Sequence, residues 1–246
     1  MPQIAFKILN IDIYFYSICI VSGIVVSLFL GAISKEKFNI KFDDLLEIFI
    51  YSLIGGIIGA RLYYCIFNIK FYLLNPSKIF AFRDGGLAIY GGIIFGILVA
   101  FVLSKIKKIN FRNLLDYIAP YLALTQGIGR IGNFFNLEAY GKETSNLFRM
   151  GIFKNGNFIE VHPCFLYEGL ACFTIFILLK ILQKKRNFEL QIFSLYMILY
   201  GFARFFIEVL RVDSLYLGNI KISQLVSLVF ISIGVLIHIN KKSRIL

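Results

Sequence analysis

The sequence predicts an all-α polytopic membrane protein with about seven transmembrane helices and a small extracytoplasmic cap. Of its 246 residues, 59% are hydrophobic, and the mean hydropathy is +0.78. Soluble domains are closer to half apolar. The apolar runs approach the roughly 20 residues that carry a helix across the hydrocarbon core, and they are too long for strands. Finally, basic residues recur on alternate loops, the pattern that sets membrane orientation.

Taken in order, the spans fall at approximately 13–33, 44–67, 86–104, 113–132, 164–182, 191–209 and 221–239. One set of connections holds Lys35, Lys37 and Lys41, then Lys105, Lys107, Lys108 and Arg112, then Lys180, Lys184, Lys185 and Arg186. The tail adds Lys241, Lys242 and Arg244. The intervening loops mix signs, as in Arg83-Asp84 or Arg211 with Asp213. The positive-inside rule then puts the N-terminus outside and the C-terminus in the cytoplasm. An odd number of spans agrees with that. Residues 12–33 lack a small-residue cleavage site and read as a retained span.

The whole chain, 1–246, reads as a single integral membrane domain. Its longest non-apolar segment, about 133–162, is the expected cap. Strand-like pieces at Phe148–Phe153 and Phe158–Val161 flank Asn155-Gly156, a hairpin signal. The net charge of +12 sits in short clusters between spans, so nucleic-acid binding is not implied. The four cysteines show no CxxC or Cys/His spacing, which argues against a zinc site or disulfide framework.

The chemistry-bearing residues concentrate in a few stretches. Residues 125–142 read TQGIGRIGNFFNLEAYGK. Arg130 lies within an apolar span there, where even insertion-based estimates charge roughly +2.5 to 3.5 kcal/mol for an arginine. Asn133 follows at helical spacing, then Asn136, Glu138 and Gly141. In the sixth span, Tyr200, Arg204 and Glu208 stand at i, i+4, i+8, and Arg211 is three residues further on. All four share a helical face. Two readings compete: an ion pair that satisfies itself, or a polar cavity lined for function. Two intramembrane arginines repel unless an anion lies between them, and arginine suits bidentate contact with phosphate. The phosphate of a phospholipid is the expected partner of Arg130.

Residues 84–92, DGGLAIYGG, place glycines around Tyr90, either to admit a lipid or to pack helices. In HPCFLYE, residues 162–168, His162 is a proton shuttle or a loop residue, and Glu168 opens the fifth span. A nucleophile pair of Cys164 with His162 lacks an orienting third group. Tyr14 and Tyr16 belong to an interfacial belt or to the site. Arg61 has no partner nearby in sequence. A transporter of lipids or anions, and a structural subunit pairing its charges with another helix, are competing classes at this level.

Together these motifs resemble the bacterial phosphatidylglycerol–prolipoprotein diacylglyceryl transferase family. GRIGNFFNLEAYG, residues 129–141, is similar to the family's signature. GGIIGARLYY, DGGLAIYGG, HPCFLYE and YGFARFFIEVLR match in family-like order along nearly the whole chain. The resemblance implies transfer of an sn-1,2-diacylglyceryl group from phosphatidylglycerol to the lipobox cysteine of a prolipoprotein signal peptide, in the bacterial inner membrane. A thioether forms and glycerol phosphate leaves, with no metal or cofactor. It implies catalytic roles for Arg130, Arg204, Tyr90 and Tyr16. Substrate binding falls to Arg130, Asn133, Glu138, Gly141, Tyr200, Arg204, Glu208, Arg211, His162 and Glu168. Many members carry a histidine, proposed as general base, where this chain has Tyr90. A phenol, with an ordinary pKa of about 10, is a poor base near neutrality. Electrostatic activation of the thiol by Arg130 and Arg204 is therefore expected, with Tyr90 and Tyr16 as orienters. Glu138 and Glu208 are expected to hold the arginines in register.

Overall fold

The structure, a computed structural model, describes residues 3–9, 11–34, 38, 40–82, 85–154 and 156–240. Lys35, Lys37, Arg83, Asp84, Asn155, Lys241, Lys242 and Arg244 lie outside the described residues. Seven long helices fall on the seven expected spans: α1 Phe15–Ser34, α2 Phe42–Phe67, α4 Ile89–Ile106, α5 Phe111–Asn136, α6 Cys164–Gln183, α7 Gln191–Leu210 and α8 Ile222–Ile239. A short α3, Ile69–Leu74, and a 3₁₀ turn, Pro76–Phe80, follow α2.

Six of these helices are long and apolar enough to cross a membrane; α5 is the exception. At 26 residues it is about 39 Å long, ample for a crossing. It carries Asp116, Gln126, Arg130, Asn133 and Asn136, and these groups find protein around them. A helix surrounded by other helices need not be apolar all round.

The chain divides into two compact units. The first holds residues up to Ile33 and from Leu115 onward. Here α5 is central. Tyr117 donates to Gly31 O at 2.5 Å, and Ser27 and Thr125 share a hydroxyl contact of 2.7 Å, tying α5 to α1. Ala119 and Ala123 of α5 pack with Ile175 and Leu179 of α6 and with Ile192, Tyr196 and Met197 of α7. At the far end, the fully buried Asp116 accepts from Arg186 Nε at 2.6 Å and from the Phe193 amide at 2.8 Å. That amide lies in the first turn of α7, whose donors have no intrahelical partner.

Three antiparallel hairpins complete this unit: β1 Ile4–Ile8 with β2 Ile11–Tyr14, β3 Met150–Lys154 with β4 Asn157–Val161, and β5 Tyr216–Leu217 with β6 Ile220–Lys221. The β3–β4 hairpin is the one expected in the cap, in register Ile152↔Ile159. The first hairpin was not expected; it puts Tyr14 on a strand and starts the first helix at Phe15.

The second unit, Ser34–Leu114, is built on the α2–α4 pair. A methyl group added at Gly91 would lie 2.5 Å from Gly59 O. The glycines beside Tyr90 therefore serve helix contact in this unit, as small residues do in membrane bundles. Arg61 is buried. Its guanidinium donates to the carbonyls of Lys78, Ile79, Ala81, Gly85 and Gly86, at 2.5–3.1 Å. An intramembrane-looking charge without a sequence-local partner thus spends its donors on the backbone of the loop ahead of α4.

Candidate functional site

The site is assembled where α5, α6 and α7 end together in the first unit. Its centre is Glu168, in the second turn of α6 and 4% exposed. Glu168 Oε2 lies 2.5 Å from Arg130 Nη2 of α5. Glu168 Oε1 accepts from Arg204 Nη1 of α7 and from Arg211 Nη1, the latter at 3.0 Å. One buried carboxylate thus collects three guanidinium groups, from α5 and from α7 and its C-terminal cap.

A second carboxylate backs the first. Glu208 is fully buried, and its Oε2 lies 2.6 Å from Arg204 Nη2, one helical turn away. A third acid, Asp213, receives two parallel bonds from Arg211, Nε to Oδ1 at 2.9 Å and Nη2 to Oδ2 at 2.8 Å. This fork fixes the guanidinium plane as well as its charge. Burial alone pushes the Asp213 carboxyl up. The bonds and charge of Arg211 outweigh that, and the group sits below the usual carboxylate range.

The three arginines are not held equally. Arg130 is the most open, with 24% of its side chain exposed against 16% for Arg204 and 11% for Arg211. Its contact with Glu168 is close but lacks hydrogen-bond alignment, since Glu168 Oε2 has no hydrogen-bond partner among the described residues. Arg130 also borders a cavity of about 370 Å³. Gly127, Phe134, Phe165, Gly169 and Phe173 give that cavity apolar walls, and Arg149 reaches its rim.

The chain between α5 and α6 closes the site from one side. Leu137 and Ala139 adopt left-handed backbone (φ 52° and 56°), costly for residues with a Cβ. This sharp exit carries Gly141 to the end of α7, where it forms an isolated antiparallel bridge with Arg211. Lys142 N donates to Leu210 O at 2.9 Å, and Gly141 N to His162 O at 2.7 Å. A Cβ at Gly141 would stand 2.7 Å from Cys164 Sγ and 3.0 Å from Leu210 O. Glycine is thus required by close approach, which fits the sequence signal at that position.

Of the other expected residues, Tyr16 packs at the start of α1 against α5, where a Cβ on Gly132 would meet it at 2.8 Å. Tyr200 stacks on Tyr196, centroids 5.7 Å apart, one turn before Arg204. Asn133 is buried, and its carbonyl accepts from the Glu138 amide at 3.1 Å. His162 meets the Tyr167 hydroxyl at 3.2 Å through Nδ1. Tyr90 belongs to the second unit, half exposed at the start of α4. Cys164, two residues after His162, is fully buried.

Two expectations need correction. Glu138 holds no arginine among the described residues; its side chain is exposed and accepts from Asn136 Nδ2 at 3.5 Å. The register-holding acids are Glu168, Glu208 and Asp213. Nor is Arg130 left without a protein counter-charge, because Glu168 supplies one. Asp213 and Lys221, whose Nζ lies 2.6 Å from Glu208 O, escaped the sequence reading. The only signal was an acid two residues after Arg211 and a lone lysine opening the last span.

The chain matches the family described as prolipoprotein diacylglyceryl transferase over residues 3–240. It is 43% identical to the phosphatidylglycerol–prolipoprotein diacylglyceryl transferase of Finegoldia magna, covering 100% of this chain and 98% of that one. Proteins of the same name from Clostridioides difficile and Clostridium novyi are each 42% identical, over 99% of this chain and 98% and 97% of theirs.

Proposed function

This chain belongs to the prolipoprotein diacylglyceryl transferase family, and from that premise we propose how its residues carry the transfer. The protein is a multi-pass membrane enzyme that moves the sn-1,2-diacylglyceryl group of phosphatidylglycerol to the cysteine of prolipoproteins. This is the first step of lipoprotein maturation.

The observation that supports our assignment of roles is the convergence of Arg130, Arg204 and Arg211 on Glu168, beside an apolar cavity that Arg130 borders. In this reading the acyl chains lie along the apolar walls. The phosphate approaches Arg130, the most open guanidinium and the one without aligned bonds. Arg204 and Arg211 are held ready by Glu208 and Asp213. Glu168 keeps the three cations together before substrate arrives, and phosphate takes over part of that task when it binds. Preorganised charge of this kind stabilises a transition state without reorganisation at the moment of reaction.

The reaction breaks the thiol S–H bond and a carbon–oxygen bond, and forms a carbon–sulfur bond and an O–H bond. The cysteine thiol gives up its proton, whose net acceptor is the departing glycerol phosphate, and the sulfur forms a bond to the terminal glyceryl carbon of the diacylglyceryl group. The carbon–oxygen bond to phosphate breaks, and its electron pair leaves with glycerol phosphate. A free thiol, with pKa about 8.5, is driven toward thiolate by neighbouring guanidinium groups. The same groups meet the charge that grows on the leaving phosphate. Tyr16 acts as a hydrogen-bonding orienter, and Asn133, Gly141, Tyr200, Glu138 and His162 shape the substrate surface.

Residues 1–246 act as a single integral membrane domain, with the segment about 133–162 as its extracytoplasmic cap. We place the protein in the bacterial inner membrane, with α5 as a seventh crossing, the N-terminus outside and the C-terminus cytoplasmic. Incubation with radiolabelled phosphatidylglycerol and a lipobox peptide tests the assignment. Label in a thioether on the peptide cysteine is expected from the wild type, and its loss from Arg130→Ala and Arg204→Ala. Full transfer by either variant would overturn the roles of these arginines.

A further inference from the structure

The strongest unassigned group is Lys221. It is buried, at 9% exposure, on the last residue of β6 immediately before α8. Its ammonium meets no carboxylate among the described residues. Instead Nζ donates to Glu208 O at 2.6 Å and to Arg211 O at 2.7 Å, with the Tyr216 ring 5.9 Å away. Those carbonyls lie at the C-terminal end of α7, where the helix dipole is negative; Glu208 O also accepts from the Arg211 amide at 3.2 Å. Lys221 therefore caps α7 from beyond the β5–β6 hairpin.

The capped turn is the one that presents the site. Glu208 and Arg211 project from the very residues whose carbonyls Lys221 holds. The neighbouring carbonyl, Leu210 O, is taken by the Lys142 amide at 2.9 Å. The end of α7 is thus held from two sides, by Gly141-Lys142 and by Lys221. Arg130, Arg204 and Arg211 are balanced in number by Glu168, Glu208 and Asp213, so Lys221 also leaves this group one positive charge in excess. An ammonium buried without a carboxylate is costly, and the burial is intelligible where its charge completes a helix end.

We propose that Lys221 is a positioning residue for the transferase, fixing the α7 terminus so that Arg211 and Glu208 keep their places around Glu168. This rests on the proposed roles of the three arginines. Misplacement of fixed guanidinium groups by a fraction of an ångström to an ångström costs rate rather than ground-state binding.

The test uses the full-length protein in nanodiscs containing phosphatidylglycerol, with a lipobox peptide as acceptor. Lys221→Met is expected to lose about ten- to a hundredfold in kcat with KM little changed. Lys221→Arg, which keeps a charged donor, is expected to recover most of the rate. In an Arg211→Ala background, Lys221→Met should cost less than it does in the wild type, because one of the two groups it positions is gone. Wild-type kcat in Lys221→Met, or an undiminished additional loss in the Arg211→Ala background, overturns the proposal. Should Lys221→Met not fold, the contrast of Lys221→Arg with Lys221→Gln carries the same comparison. Hydrogen exchange at the Lys142 and Arg211 amides separates this proposal from the functional one. Faster exchange is expected in the Met or Gln variant even if the wild type transfers no label, and unchanged exchange counts against the cap.

Discussion

Arg130 of α5 and Glu168 of α6 meet at 2.5 Å, Nη2 to Oε2, although neither helix end predicts the other in sequence. The same carboxylate carries Arg204 and Arg211 through its other oxygen. Glu168→Gln keeps the shape and removes the charge, leaving three guanidinium groups facing one another. Breaking a buried pair by neutralising one member costs about 3–5 kcal/mol. A clear fall in thermal midpoint is expected, with transfer lowered at least about a hundredfold. Added phosphatidylglycerol should restore more stability to this variant than to wild type, since ligand bound only by the folded state stabilises it. Equal lipid stabilisation in both would separate Glu168 from the phosphate site.

Arg204 contacts Glu168 with one nitrogen and Glu208 with the other. Arg204→Lys preserves charge but supplies no planar fork. Transfer is expected to drop by roughly a hundredfold or more while the protein stays folded. Near-normal turnover measured with the labelled lipid would rule out the bidentate role.

Asp213 gives a prediction in pH. Its folded pKa is depressed by Arg211, so the unfolded chain binds the proton more readily. Its stabilising contribution is whole above the ordinary carboxylate pKa of about 3.9 and fades as pH falls through the lower folded value. Asp213→Asn should be less stable than wild type at neutral pH and should lose less on acidification from about pH 5 to pH 3. Thermal midpoints across that range decide it; parallel acid slopes for the two proteins would count against the assignment.

Tyr90→Phe tests whether the phenol is needed for proton transfer. Electrostatic activation of the thiol predicts that this variant retains a measurable rate, within about a hundredfold of wild type. Abolished turnover with lipid binding and fold intact would return Tyr90 to the role of base.

Arg61 makes a contrasting case, because its donors are spent on five backbone carbonyls. Arg61→Lys cannot reach all of them, and the loop after α3 should loosen by at least about 2 kcal/mol. Trypsin cleavage at Lys78 is the direct measure, faster in the variant than in wild type. An unchanged digestion rate would mean that the loop is held by other contacts.

Six of the long helices were legible because lipid imposes length and apolarity on them; α5 falls on an expected span too, but it owes its polar residues to the helices around it. Arg204, Glu208 and Arg211 were legible as a face because helical spacing is local. Gly141 stood out in the signature, and close packing against Cys164 and Leu210 explains it.

Pairing across helices was not legible. Glu138 is nearer to Arg130 in sequence than Glu168 is. However, the left-handed residues Leu137 and Ala139 carry the chain away from α5, and Glu138 remains exposed. By itself the sequence determined the membrane helices and which arginines must be compensated, since both follow from local spacing and the cost of charge in lipid. Only the tertiary structure decided that Glu168 compensates three of them and that Arg61 binds backbone, because those choices depend on which helix ends and loops the packing brings within reach of a guanidinium.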